Sequence, residues 1–158
     1  MDQMKQFRQC LAKFATGVTV VTCADHTGRP YGITANSFSS VSLEPPLVLW
    51  NVAKVSNSLQ AFLDAEFFAI NILTAEQRDL SAHFAKSDHT LFETVEILRS
   101  EENLPLFPDA LAYFICRTFQ IHECGDHYII IGEVLRFESH DADPLLFFDG
   151  KYAALKSR

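Results

Sequence analysis

Tyr31-Gly32-Ile33-Thr34-Ala35-Asn36-Ser37-Phe38-Ser39-Ser40-Val41-Ser42-Leu43-Glu44-Pro45-Pro46-Leu47-Val48-Leu49-Trp50 is the stretch on which the fold turns. Residues 31–43 read as extended backbone, and six of the nine residues from Thr34 to Ser42 carry a short hydroxyl or amide. Pro45 and Pro46 punctuate the segment, and Leu47-Val48-Leu49-Trp50 opens an apolar strand. Upstream, Val18-Thr19-Val20-Val21-Thr22 is β-branched throughout and so stiff in an extended chain. It follows a helix predicted over 3–15, where Met4, Phe7, Leu11 and Phe14 recur every three to four residues. Asp25-His26-Thr27-Gly28-Arg29-Pro30 supplies turn chemistry between the two extended segments.

Downstream, Ser56-Asn57-Ser58 opens a helix carried on by Leu59, Phe62 and Leu63, and 67–73 is a further strand. Thr74-Ala75-Glu76-Gln77 has the capping-box form and starts a helix through Leu80 and Phe84. Residues 86–109 are a polar, irregular excursion. Two long strands, 110–123 and 128–139, are joined by Cys124-Gly125-Asp126-His127. The last apolar piece, Pro144-Leu145-Leu146-Phe147-Phe148, runs into Asp149-Gly150-Lys151-Tyr152. Six or seven strands linked by short turns, with three helices, favour antiparallel pairing and a barrel over a parallel doubly wound sheet.

The chain has 158 residues, the usual size of one domain, and no internal repeat or linker divides it. Apolar residues make up 48% and charged residues 21%, which excludes disordered and low-complexity classes. The net charge is −7 and the basic residues are spread singly, so no stripe exists to neutralise a nucleic-acid backbone. The longest wholly apolar run, 110–116, is far below the ~20 residues of a membrane span. No signal-peptide pattern follows Met1, so a soluble, cytoplasmic protein is expected. Cys10, Cys23, Cys116 and Cys124 have no paired spacing and are expected to be reduced, packed thiols.

Much catalytic vocabulary is missing. There is no G-x-G-x-x-G, no P-loop, no H-E-x-x-H and no G-x-S-x-G. His122, Cys124 and His127 cluster within six residues, but no fourth ligand sits at zinc spacing, so no metal site is expected. Three segments remain. Thr34 to Ser42 offers short donors and acceptors and an approachable main chain, which suits either a flat heteroaromatic ligand or a solvated edge strand. Asn51 to Ser58, with Lys54 and a helix start at Ser56-Asn57-Ser58, suits either an anion cradle or an ordinary polar cap. Gly125-Asp126 is a natural turn pair, and the imidazole of His127 can hold an amide, stack on a ring or simply be solvated.

Taken in order, these segments resemble the flavin reductase-like, FMN-binding split-barrel family, which includes the small reductase components of two-component flavin-dependent monooxygenases. The matching pieces are Phe14-Ala15-Thr16-Gly17-Val18-Thr19-Val20-Val21-Thr22, the block from Gly32 to Leu47, Phe84-Ala85-Lys86, Gly125-Asp126-His127 with Gly132-Glu133-Val134, and 144–152. The resemblance implies a single domain over 1–158 with a six-stranded antiparallel Greek-key split barrel and flanking helices. It also implies a homodimer and a cytoplasmic NAD(P)H-dependent flavin reductase that passes reduced FMN or FAD to a partner oxygenase. By the same resemblance, Thr34, Ala35, Asn36, Ser37, Phe38, Ser40, Val41 and Ser42 line the isoalloxazine and ribityl chain. Asn51, Lys54, Ser56, Asn57 and Ser58 hold the phosphate, and Phe84, Ala85 and Lys86 close over the flavin. His127, on its Gly125-Asp126 turn, contacts the nicotinamide of NADH or NADPH, with Phe148, Gly150 and Tyr152 close by. The chain departs from many relatives after Lys86: it reads Ser87-Asp88-His89-Thr90-Leu91-Phe92 where they carry a more basic segment, which bears on FMN against FAD. The alternative is a tight FMN-binding module of the same barrel that NADH does not reduce.

Overall fold

A computed structural model describes residues 2–87 and 90–156. Three helices are present: α1 (Gln3–Leu11), α2 (Leu59–Asp64) and α3 (Arg78–Phe84). The strands are β1 (Thr16–Gly17), β2 (Thr19–Ala24), β3 (Pro30–Ala35), β4 (Ser39–Leu43), β5 (Pro46–Ala53), β6 (Phe67–Ile72), β7 (Leu98–Arg99), β8 (Pro105–Leu106), β9 (Ala112–Cys124), β10 (His127–Ser139), β11 (Leu146–Phe148) and β12 (Lys151–Ala153). The main sheet has the order β3-β2-β6-β9-β10-β5-β4, and every neighbouring pair is antiparallel.

The main sheet has seven strands, within the six or seven that the residues gave and one more than the resemblance implied. Residues 31–43 are not one extended segment, because the chain leaves the sheet at Asn36-Ser37-Phe38 and returns as β4, a seventh strand on the far edge. That connection dictates the shape. A flat sheet of seven strands would hold its edges nearly ~30 Å apart at the usual strand spacing. The link from Ala35 to Ser39 can span no more than ~14 Å. The sheet therefore curls until β3 and β4 approach each other. At the corner, Ser37 Oγ accepts the Asn51 N–H at 2.9 Å and donates to the Asn51 carbonyl at 3.3 Å. These bonds continue the β4–β5 register, in which Ser39 faces Leu49, past the point where backbone pairing stops.

Inside the curl, Trp50 packs edge-on against Phe62 at 4.8 Å, with Val21, Val52, Phe68, Ile70 and Ile130 filling the same core. Gly132 is required on β10, since a Cβ there would lie 2.5 Å from Phe68 Cζ and 2.8 Å from Cys116 Cβ. The excursion 86–109 is less of a surface loop than its polarity suggests. Leu91, Leu104, Leu106 and Phe107 are buried, and Thr22 Oγ1 donates to the Pro105 carbonyl at 2.7 Å.

Both hairpin turns follow their residues. Gly125 alone takes positive φ, +60°, in the two-residue loop before His127, the pattern of a type II′ turn. Asp149 and Gly150 both take positive φ, as type I′ demands, between β11 and β12. The thiols divide, correcting the expectation that all four pack. Cys23 and Cys116 are buried, and loss of hydration pushes the Cys116 thiol up to about 12. Cys10 and Cys124 are exposed, one on a helix whose apolar side faces solvent and one at a hairpin end. Among the described residues no helix is long and apolar enough to cross a membrane.

Candidate functional site

Three adjoining hollows form a groove over β2, β3 and α3. The first, about 280 Å³, is walled by Tyr31, Ser56, Asn57 and Ser58 on one side and by Ala85, Lys86 and Phe92 on the other. Its floor includes Gly32, and the missing side chain matters: a Cβ would lie 3.0 Å from both the Phe84 and Phe92 rings. The second hollow, about 230 Å³, lies between Thr34, Ala35 and Asn36 of the β3 end, Ser81 and Ala85 beside α3, and Phe147 and Tyr152 of the C-terminal hairpin. The third, about 280 Å³, is lined by Thr16, Gly17, Asn36 and Phe38. Adjacent hollows share Ala85 or share Val18 and Asn36.

The structure divides the hydroxyl-rich block. Thr34, Ala35, Asn36 and Phe38 line the groove. The Thr34 hydroxyl donates to the Ser81 carbonyl at 2.7 Å, capping an otherwise open end of α3. Ser37 spends its hydrogen on Asn51. Ser40, Val41 and Ser42 lie on the edge strand β4, with Val41 at a bulge, and line none of the three hollows.

Ser56, Asn57 and Ser58 do face the first hollow opposite Lys86. Ser56 Oγ accepts the Ser58 N–H at 3.2 Å, whereas the Ser58 side chain makes no cap to α2. Lys54 does not join them. Its ammonium meets Glu123 at 2.6 Å and lies 5.7 Å from the Tyr128 ring, and the Glu123 hydrogen bond holds its pKa above the usual lysine value. Lys54 thereby belongs with the β9–β10 turn, where its N–H also donates to the Asp126 carbonyl at 3.0 Å.

On that turn His127 Nδ1 lies 2.7 Å from Asp126 Oδ1, and the contact holds the Asp126 carboxyl below the usual range. Because a carboxylate only accepts, a neutral imidazole carries its proton on Nδ1 and presents the Nε2 lone pair outward. Phe148 lies under the Lys13 ammonium at 5.9 Å, outside the three hollows, while Tyr152 is inside the second. Among the described residues no three ligating side chains converge as a metal site, and positions 88 and 89 lie outside those residues.

Ser81 was not legible in the sequence as a site residue. It is buried, its Oγ lies 2.8 Å from Tyr152 Oη, and its carbonyl takes the Thr34 hydroxyl. Among the described residues three buried side-chain polar atoms have no partner: Thr16 Oγ1, on the third hollow, Asn51 Oδ1, beside the Ser37 corner, and Trp50 Nε1. Unpaired buried polar groups are costly, and of these only Thr16 Oγ1 lies on a hollow, where a ring system with N–H groups and carbonyls is chemically suited to satisfy it. An apolar floor, few polar groups and a lysine with two serines at one end therefore fit a planar heteroaromatic molecule with an anionic tail.

Comparison with known proteins agrees. The flavin reductase like domain model matches residues 11–156. The chain is 46% identical over 151 residues to FMN reductase (NADH) SmoA of Agrobacterium fabrum, covering 96% of this chain and 86% of that protein. It is 42% identical to the reductase component of the flavin-dependent trigonelline monooxygenase of Acinetobacter baylyi, where it spans about half of that protein, 49%. The structure of NADH:FAD oxidoreductase SgcE6 of Streptomyces globisporus superposes with a TM-score of 0.94 at 36% identity, covering 100% of this chain and 97% of that one. SgcE6 has also been solved with NAD and FAD fragments. With its groove, its turn histidine and this likeness over nearly its whole length, the chain belongs to the flavin reductase like domain family.

Proposed function

We propose that this protein is an NAD(P)H:flavin oxidoreductase that supplies reduced FMN or FAD to a partner monooxygenase. The observation that carries the reading is the groove, in which Ser56, Asn57, Ser58 and Lys86 line the hollow at one end. Thr34, Ala35, Asn36 and Tyr152 line the middle, and the unpartnered Thr16 Oγ1 lies on the far part. When both ligands are bound, hydride passes from the nicotinamide C4 to flavin N5, and the cofactors supply that chemistry.

The chain's own residues bind and align. Lys86 and the serine pair attract the phosphate of the flavin. Phe84 and Phe92 stand over Gly32 with ring centroids 4.9 Å apart and give the first hollow an apolar wall. Asn36 and the open backbone around it offer hydrogen bonds to ring carbonyls and nitrogens. His127 Nε2 accepts a carboxamide N–H, which orients the nicotinamide without moving a proton. Fixing two planar reactants face to face removes much of the entropic barrier, so no activated nucleophile is needed.

The fold is read as a split barrel of Greek-key type in one domain over 1–158, a reading supported by the short Asn36-Ser37-Phe38 link that joins the two edge strands β3 and β4. A homodimer is supported by the apolar side of α1 and its continuation, where Met4, Phe7 and Leu11 are more than half exposed and Phe14 is 79% exposed. A cytoplasmic location is supported by four unpaired cysteines.

Steady-state titration of NADH and NADPH against FMN, FAD and riboflavin tests the activity. Turnover that saturates in both nicotinamide and flavin is the expected result. A protein that binds FMN tightly while consuming no nicotinamide would replace this reading with the binding module.

A further inference from the structure

We propose that Arg78 binds the diphosphate of the nicotinamide dinucleotide, beside the middle hollow of the groove and apart from the flavin phosphate. The inference rests on the reading of the groove as a flavin and dinucleotide site. Arg78 opens α3, and Ser81 follows it by three residues, so both stand on one face of the helix. That face meets Tyr152. The Arg78 guanidinium lies 4.9 Å from the Tyr152 ring centroid, and Ser81 Oγ ties the Tyr152 hydroxyl at 2.8 Å. Phe147 packs edge-on against the same ring at 5.6 Å. The guanidinium is thus held over a ring that lines the second hollow together with Ser81 and Phe147.

Charge makes the placement informative. The protein carries −7 overall, and several of its cations are consumed by carboxylates: Lys13 by Asp149, Lys54 by Glu123 and Arg136 by Glu102. Among the described residues no carboxylate pairs with Arg78 or with Lys86; Lys86 lines the first hollow, and Arg78 stands over Tyr152, which lines the second. A ring face attracts a cation yet leaves its N–H fork open, and a guanidinium matches phosphate oxygens two at a time. Lys86 lies beyond the last residue of α3, Phe84, and lines the first hollow, so the two cations serve different hollows.

The test is steady-state kinetics of the full chain, wild type against Arg78→Gln and Arg78→Lys, with NADH and FMN varied in turn. Losing a charge-assisted contact predicts that the NADH KM of Arg78→Gln rises about tenfold, with kcat and the FMN KM unchanged. Arg78→Lys restores most of the affinity, and raising salt weakens NADH less in Arg78→Gln than in wild type. An unchanged NADH KM in Arg78→Gln overturns the assignment. So does a rise in the FMN KM alongside it, which would put Arg78 on the flavin or in the scaffold. A wild-type protein that oxidises no NADH with any flavin overturns the functional reading itself.

Discussion

Replacing Ser37 by alanine separates two roles that one hydroxyl could serve. In the structure the hydroxyl is committed to the corner between β3 and β4, accepting from the Asn51 N–H at 2.9 Å and donating to its carbonyl at 3.3 Å. The corner is partly buried, so the variant leaves an Asn51 N–H with no acceptor where β4 has stopped pairing. The lower part of the range for an unsatisfied donor applies, about 1–2 kcal/mol. For a chain of this length each kcal/mol is worth about 2–4 °C in Tm, so a fall of roughly 2–8 °C is expected. Urea unfolding followed by tryptophan fluorescence reports the same loss as a lower midpoint with an unchanged slope. Trp50, fully buried and next to Asn51, is the only tryptophan in the sequence. An unchanged midpoint together with a large loss of FMN affinity would refute the reasoning, because the hydroxyl would then serve the ligand and not the corner.

Gly32→Ala should destabilise by about 1–3 kcal/mol, since its Cβ would meet the Phe84 and Phe92 rings at 3.0 Å, and should weaken FMN by pushing them into the first hollow. Unaltered melting and FMN affinity would contradict that packing. His127→Ala should slow reduction of bound flavin by NADH in stopped flow and leave the flavin Kd unchanged; collapse of flavin binding would show that the turn supports the wrong ligand. The Arg136 guanidinium beside Glu102 holds that carboxyl below its ordinary 4.5. Its contribution to stability is therefore complete above about pH 4.5 and lost as pH falls through the lower folded value. Thermal melts from pH 7 to 3 should show Glu102→Gln below wild type at neutral pH and converging with it in acid. A gap that is constant across the range would contradict the sign.

Local rules were readable where the partners lie close in sequence. The capping box forms as Thr74-Ala75-Glu76-Gln77 predicts, with the Thr74 N–H donating to Gln77 Oε1 at 2.9 Å ahead of a 3-10 turn and α3. Gly125-Asp126 and Asp149-Gly150 make the two tight hairpins that their residues suggest. The break between β3 and β4 was not readable, because three residues at Asn36-Ser37-Phe38 carry the chain from one sheet edge to the other without a proline or glycine to mark it. Side-chain commitments across long separations were equally hidden. Lys54 sits in a stretch that looks like an anion cradle, yet Glu123, on the neighbouring hairpin, takes its charge. Ser81 reads as an ordinary helical serine until Thr34 and Tyr152 converge on it from opposite ends of the chain. Of the block from Thr34 to Ser42, Thr34, Ala35, Asn36 and Phe38 line the groove, while the curl of the sheet sends its second half to the edge strand β4.

The central claim is that this groove aligns a nicotinamide and a flavin well enough for hydride to pass between them. Anaerobic mixing of the protein with NADH and FMN or FAD, followed at the absorbance band of the oxidised flavin, tests it most directly. The account predicts bleaching that depends on the protein, with one NADH oxidised for each flavin reduced. A flavin band that keeps its intensity with protein and NADH both in excess would contradict it.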